Sequence, residues 1–279
     1  MCASCGVLVG VNDDACYNCG RTNPSLWGFS PALRSLGTDL GFVPFVMGAC
    51  VVIYALVVVA IVGANGTEVL TQVLIFGPSG RALTVFGASG AVPLFDYYDW
   101  WTVLSAGWLH AGILHLGMNM LSLRNLAPAV AQIFGPGRMV IIYTAGAVVG
   151  FTASSLAGAF LPPIRFIGGG QVTVGASASI AGLIGAILAY GHSSGSGMAR
   201  SYANQGILML LVIGFVFPNV DNWAHFGGFA GGYFAAKVLD PLKRERIDHV
   251  LIAVGCLAVS MLAVAWSFIS YALAVVASR

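Results

Sequence analysis

The chain has 279 residues, of which 58% are hydrophobic and only 8% charged, with a formal net charge of +2. A soluble domain carries about 25% charged residues, so this composition excludes an ordinary soluble enzyme and indicates a polytopic membrane protein. The net charge is too small, and the basic residues too scattered among short connections, to suggest nucleic acid as a partner.

At the N-terminus, Cys2, Cys5, Cys16 and Cys19 form two Cys-x-x-Cys turns, each followed by a glycine, Gly6 or Gly20. Two such turns supply four thiolates for a tetrahedral zinc ion, and residues 1–20 are too few to be held by a core. Two disulfides or reduced loops are the competing readings, and a cytoplasmic N-terminus, argued below, disfavours disulfides. A structural Zn2+ on these four cysteines is therefore expected. Cys50 and Cys256 lie in apolar runs and read as small buried hydrophobes. Asp13 and Asp14 precede any apolar run, so no secretory leader is expected.

Residues 21–41 read as a polar linker containing proline, Arg34 and Asp39. A first span follows over 42–62, an unbroken run of about the 20 apolar residues that a bilayer crossing needs. The connection 63–99 is long, carries Glu68, Arg81, Asp96 and Asp99, and is broken by Pro78 and Pro93. Connections of that length are commonly functional or disordered. Within it, Gly87-Ala88-Ser89-Gly90 looks like a nucleophile motif, but Pro93 and Asp96 stand where a helix would continue, so Ser89 reads as loop.

Trp100 and Trp101 suit a membrane interface, and the second span opens behind them with His110, His115 and Asn119. His115 and Asn119, four apart, share a helix face; His110 points elsewhere or caps the start of the helix. A third span over 139–161 ends at Pro162-Pro163. The fourth, 173–190, contains Gly175-Ala176-Ser177, and small residues recur at Ser177, Ala181, Gly185 and Ala189. On this segment alone, close helix packing is the simpler reading of Ser177. After a Gly/Ser-rich loop over 192–200, a short fifth span covers 205–217 and stops at Pro218. The sixth begins with Asp221, Asn222 and His225 and carries a small-residue ridge at Gly228, Gly232 and Ala236. Lys237, Lys243, Arg244 and Arg246 precede a seventh span over 250–273.

The basic residues set an orientation. With the cysteine turns inside, Arg21, Arg34, Arg124, Arg138, Arg200, Lys237, Lys243, Arg244 and Arg246 lie on the cytoplasmic side, against Arg81, Arg165 and Arg279 outside. That asymmetry favours a cytoplasmic N-terminus. It also starts the second, fourth and sixth spans from the outer face, which brings His115, Asn119, Ser177 and His225 to similar depth.

Polar side chains at that depth are costly unless used. Ser177 and His225 can pair as nucleophile and general base, and the helix N-terminus at Ser177, with His115 and Asn119, can form an oxyanion hole. None of the ten acidic residues falls inside a span, so the site reads as a dyad, with no role assigned to Asp221. Taken singly, His225 is more simply a structural histidine, and His115 and Asn119 interhelical glue; their joint placement favours catalysis.

These residues resemble the rhomboid intramembrane serine proteases. The resemblance rests on Trp101 with His-x4-His-x3-Asn at His110, His115 and Asn119, on Gly175-Ala176-Ser177, and on the stretch 218–228 with His225 and Gly228, followed by Gly232. It implies an all-α membrane protein with a six-helix core plus a C-terminal seventh helix, behind a small N-terminal zinc ribbon. The divisions expected are 1–20 for the ribbon, 21–41 for the linker, 42–240 for the membrane domain, and 241–279 for the basic loop and seventh helix. By resemblance Ser177 is the nucleophile, His225 its base, and His115 and Asn119 the oxyanion donors, with His110, Gly175, Gly228 and Gly232 structural.

The implied activity is cleavage of single-span membrane proteins in or near their transmembrane segments, within the lipid bilayer and without a catalytic cofactor. The implied setting is a bacterial plasma membrane with the site opening outward, and a cytoplasmic protein is the expected partner of the ribbon. A catalytically silent rhomboid-like protein that binds client helices is the alternative. Thr102, Ala131, Ala178 and Ala181 depart from the family's usual arginine, glutamate, glycine and aromatic; Thr102 in particular predicts a different anchoring of the long loop.

Overall fold

Continuous apolar sequence forms helices in lipid because every backbone polar group must be satisfied within its own segment. The computed structural model follows that rule and describes residues 1–10, 13–25, 36–164, 168–217 and 219–277. Arg34, Arg165, Pro218 and Arg279 lie outside the described residues. Among the described residues are seven long helices: α1 Phe42–Asn65, α2 Ile113–Phe134, α3 Pro136–Phe160, α4 Ser177–Ser193, α5 Gly197–Val216, α6 Asn222–Leu239 and α7 Ile247–Ala277. Of these, α1, α3, α5 and α7 are long and apolar enough to cross a membrane. The other three, shorter or more polar, are the ones that carry His115, Ser177, His225 and the small-residue ridges.

Small residues let α3, α4 and α6 approach almost to backbone contact. A methyl built on Gly182 of α4 would lie 3.0 Å from the Gly146 Cα of α3 and 3.2 Å from the Gly228 carbonyl oxygen of α6. One on Gly228 would run into the Ala178 carbonyl, and one on Gly232 into Gly182. The expected ridge residues Ala181, Gly185 and Ala189 of α4, and Gly228, Gly232 and Ala236 of α6, are all buried.

Two boundaries differ from the expectation. The α4–α5 connection shrinks to 194–196, because Ser196 accepts the Ala199 N–H and starts α5 at Gly197, well before residue 205. A serine within a Gly/Ser-rich stretch was a helix cap. The connection expected over 63–99 runs instead over 66–112 and is not open loop; it contains short helices at Leu70–Phe76, Gly80–Val85 and Thr102–Ser105. It is tied down where Tyr54 of α1 donates its hydroxyl to the carbonyls of Val73 (3.3 Å) and Leu74 (3.0 Å).

At the end of the bundle away from Ser177, one arginine joins three elements. Arg138 on α3 is completely buried. Its guanidinium donates to the carbonyls of Leu239 (3.0 Å), Asp240 (2.9 Å) and Lys243 (2.7 Å), and Nε to His249 Nδ1 (3.2 Å). Glu245 in turn accepts the Arg138 backbone N–H at 2.8 Å and so caps the start of α3. A planar, always-charged fork suits such a cluster of carbonyls.

Candidate active site

α2, α4 and α6 begin at the same end of the bundle, and each delivers one part of the site. Asp221 caps α6 by accepting the Ala224 N–H at 3.0 Å, which places His225 in the first turn. Ser177 opens α4, directly after a sharp turn at Gly175. Ser177 Oγ lies 2.9 Å from His225 Nε2, a hydrogen bond within ordinary range. His225 is buried, and no acceptor among the described residues reaches its Nδ1. Asp221, the nearest acid in sequence, spends its carboxylate on the cap and on the Ser154 hydroxyl.

Gly175 has φ +123°, a backbone conformation that side chains rarely adopt. A methyl there would also come within 2.6 Å of His115 Cε1 and 2.8 Å of its Nε2. The His115 ring therefore lies directly over the turn that presents Ser177. Its Nδ1 accepts the Ala111 N–H at 3.2 Å, so in the neutral ring the hydrogen sits on Nε2, the nitrogen facing Gly175. Asn119, buried one turn along α2, donates Nδ2 to the His115 carbonyl at 2.9 Å. His110 precedes α2, is buried, and sets its ring edge-on to His115 at 5.3 Å between centroids. An apolar cleft of about 160 Å³ runs beside His225 between α5 and α6, lined by Ile207, Leu210, Phe226 and Phe229 among others.

The segment leading into Ser177 is held from both sides. Ser89, which the sequence offers as a decoy, is a buried loop residue that pairs with Thr173: its N–H donates to the Thr173 carbonyl (3.0 Å) and its carbonyl accepts the Thr173 N–H (2.7 Å). The Gly175 N–H donates to Ala106 at 3.0 Å. On the opposite side Ser154 of α3, bonded to Asp221, accepts the Gly170 N–H at 3.0 Å. Ala106 and Ser154 were not legible as site residues, since neither stands in a recognisable spacing, and Ser89 stood in a motif that reads as loop; a serine inside the third span was the one other hint.

Among the departures, Thr102 is buried and turns its hydroxyl back to the Asp99 carbonyl at 2.6 Å. Ala131, Ala178 and Ala181 are buried, Ala178 against Gly228 of α6.

The four N-terminal cysteines form a second cluster. All four ligand sulfurs lie within 4.8 Å of one another, with Cys2–Cys19 at 3.7 Å and Cys5–Cys16 at 3.6 Å. Four sulfurs about 2.3 Å from a central zinc stand about 3.8 Å apart, so the set fits a tetrahedral ion. Gly6 and Gly20 take the left-handed conformation, with φ of +72° and +69°, that lets each turn fold back on its first cysteine. The Val7 amide, then the Asn18 side chain, lower the Cys5 thiol to about 6. Cys19 is drawn down by the Arg21 amide, but neighbouring sulfurs, Cys5 foremost, together with burial raise it to about 11. Such a set resists full ionisation on its own and favours a cation at its centre.

An α-helical membrane bundle with a serine and a histidine in contact at one end, beneath a glycine turn, defines a class, and sequence comparison supplies the family. Residues 97–242 match the Rhomboid domain. Rhomboid protease GluP of Bacillus subtilis (strain 168) is 31% identical over 213 residues, covering 75% of this chain and 37% of that protein. RHOMBOID-like protein 5 of Arabidopsis thaliana is 32% identical over 195 residues, covering 68% of this chain and 59% of that protein. Inactive RHOMBOID-like protein 8 from the same plant is 30% identical over 180 residues, covering 61% and 46%. The chain belongs to the rhomboid family. It spans between 37% and 59% of the length of these relatives.

Proposed function

We propose that this protein is an intramembrane serine endopeptidase in which Ser177 and His225 form a catalytic dyad. The 2.9 Å contact between Ser177 Oγ and His225 Nε2, at the start of two helices packed backbone to backbone, carries this reading. Ser177 Oγ attacks the carbonyl carbon of the scissile peptide while His225 Nε2 takes its proton. Negative charge then develops on the carbonyl oxygen. The His115 Nε2–H, the Asn119 amide and the unpaired first-turn amides of α4 are the donors available to it. His225 returns its proton to the leaving amine, and the ester on Ser177 is hydrolysed by water that His225 deprotonates.

The substrates are single-span membrane proteins cut in or near their transmembrane segments. A helix must unwind to expose a bond, so helix-breaking glycine or proline near the cut is the expected substrate feature. In this reading the chain divides into the cysteine turns at 1–20, a linker at 21–41, a protease domain at 42–240, and a basic loop with the seventh helix at 241–279. The cysteine turns hold one structural Zn2+ on the cytoplasmic side, as a docking module for a cytoplasmic protein, and the dyad opens to the opposite face. Lys237, Lys243, Arg244 and Arg246, at the end away from Ser177, support that orientation.

The deciding experiment is cleavage of a single-span substrate in proteoliposomes by the wild type and by Ser177→Ala, with labelling of Ser177 by a fluorophosphonate. Cleavage and labelling by the wild type, both lost in the alanine variant, are expected. A folded wild type that neither cuts nor labels would overturn the protease reading in favour of a client-binding protein.

A further inference from the structure

We infer that the seventh helix positions the nucleophile turn, and that Ser267 on α7 and the Trp101 indole are the positioning residues through which it acts. The inference rests on the Ser177–His225 reading for its catalytic consequence, but α7 itself supplies no group to that pair. Its reach is indirect and runs through the 86–106 loop.

Ser267 is buried within α7. Trp101 Nε1 donates to its Oγ at 3.2 Å, and that Oγ donates onward to the Ala263 carbonyl at 3.0 Å, so the hydroxyl is used in both directions. The Trp101 ring also sits edge-on to Trp266 at 6.3 Å, whereas its neighbour Trp100 is 71% exposed. The paired tryptophans are thus not equivalent interface anchors. Only Trp101 is turned inward, onto α7.

The loop backbone meets the same serine. At Gly87, with φ +99°, a methyl would come within 2.5 Å of Ser267 Oγ and 2.8 Å of Ser105 Oγ. Ser105 donates to the Gly87 carbonyl at 2.7 Å, and Phe86 packs on Phe268 and Tyr271 of α7 with centroids 5.0 and 5.4 Å apart. From this junction two arms run to the nucleophile turn. One is the ladder in which Ser89 pairs with Thr173, and Ala91 and Val92 donate to the carbonyls of Gly170 (2.9 Å) and Gln171 (3.1 Å). The other is Ala106, one residue past Ser105, which accepts the Gly175 N–H at 3.0 Å. Both arms end within seven residues of Ser177, on a segment with no regular secondary structure of its own. With Thr102 turned back on the Asp99 carbonyl, the Trp101–Ser267 hydrogen bond ties this loop to α7 beside the Phe86 packing.

The test compares the full chain in detergent or proteoliposomes as wild type, Ser267→Ala, Ser267→Thr, Trp101→Phe and the Ser267→Ala/Trp101→Phe double variant. Hydrogen exchange reports on the loop without any catalysis. The amides of Ser89, Ala91, Val92, Thr173 and Gly175 are expected to exchange faster in Ser267→Ala and in Trp101→Phe, while those of α2 and α4 keep their protection. In cleavage, kcat and the fluorophosphonate labelling rate of Ser177 are expected to fall by about 3–30-fold with KM unchanged, the scale on which residues modulate a site they do not touch. Ser267→Thr, which keeps the hydroxyl, restores both readouts, and the double variant is no worse than either single one. Unchanged exchange at those five amides in a folded Ser267→Ala protein, or exchange raised uniformly through the bundle, overturns the inference. If the wild type itself is inert to the fluorophosphonate, the protease reading falls while the exchange data still decide whether α7 holds the turn.

Discussion

Gly175 is the residue with the least freedom in the site, since its φ of +123° and the His115 ring over its α-carbon both exclude a side chain. Gly175→Ala is expected to lower kcat by about 10²-fold or more, because small misplacements of a nucleophile are that costly; steady-state cleavage with a thermal unfolding control checks it. His115 stands over the same turn with Nε2 as its donor nitrogen. His115→Ala is expected to lower kcat by about 10²–10³-fold with little change in KM, the effect of removing one oxyanion donor. A rise in KM alone would instead assign His115 to substrate binding. His225 Nδ1 has no protein acceptor among the described residues, so the hydrogen bond that the ring makes to protein is the one to Ser177.

At the level of elements, the distance between Ser177 and His225 is set by how closely α4 and α6 approach. Gly232 sits against the Gly182 backbone, about two turns along α6 from His225. Gly232→Val is expected to wedge the helices apart, costing about 1–3 kcal/mol in stability, the usual price of overpacking. Cleavage should fall more steeply than thermal stability, and equal losses in both would argue that the ridge serves folding alone. The cysteine turns are a separate element with their own measurement. The protein as purified is expected to contain one zinc per chain, reduced in Cys5→Ser, by elemental analysis. The Cys5 thiol lies near 6 because the Val7 amide, then Asn18, stabilise its thiolate. A depressed pKa keeps the thiolate available above about 6; as pH falls through 6 the proton competes with the metal, and zinc is expected to be released on the acid side and not the alkaline side.

Across the whole molecule, α7 is fastened at both ends: Ser267 toward the site, and Arg138 with Glu245 and His249 at the opposite end. Arg138→Lys is expected to destabilise the protein by about 1–3 kcal/mol, because an ammonium has three donors on one nitrogen against the four acceptors spread around the guanidinium, and leaves a buried acceptor unpaired. Thermal unfolding in detergent checks it, and an unchanged midpoint would mean that the α6–α7 connection holds without the clamp. In sequence Arg138 counted only as one more basic residue on one side of a membrane. Its role depends on carbonyls about 100 residues away, which no local pattern reveals.

The sequence by itself determined the all-helical membrane architecture, since apolar runs of bilayer length leave the backbone no other way to satisfy its hydrogen bonds. It also singled out Ser177, His225, His115 and Asn119 as candidates, because polar side chains at helix starts within apolar runs are expensive enough to demand a purpose. Only the tertiary structure brought Ser177 and His225 within 2.9 Å, and it alone turned Ser89 from a decoy into a partner of Thr173. It likewise divided Trp100 from Trp101 and gave Ser267 and Arg138 their partners. The division has a physical cause. Hydropathy and helix periodicity are carried by neighbouring residues and survive in the linear chain, whereas hydrogen bonds between side chains and distant backbone come into being only when glycine-lined helices close on one another.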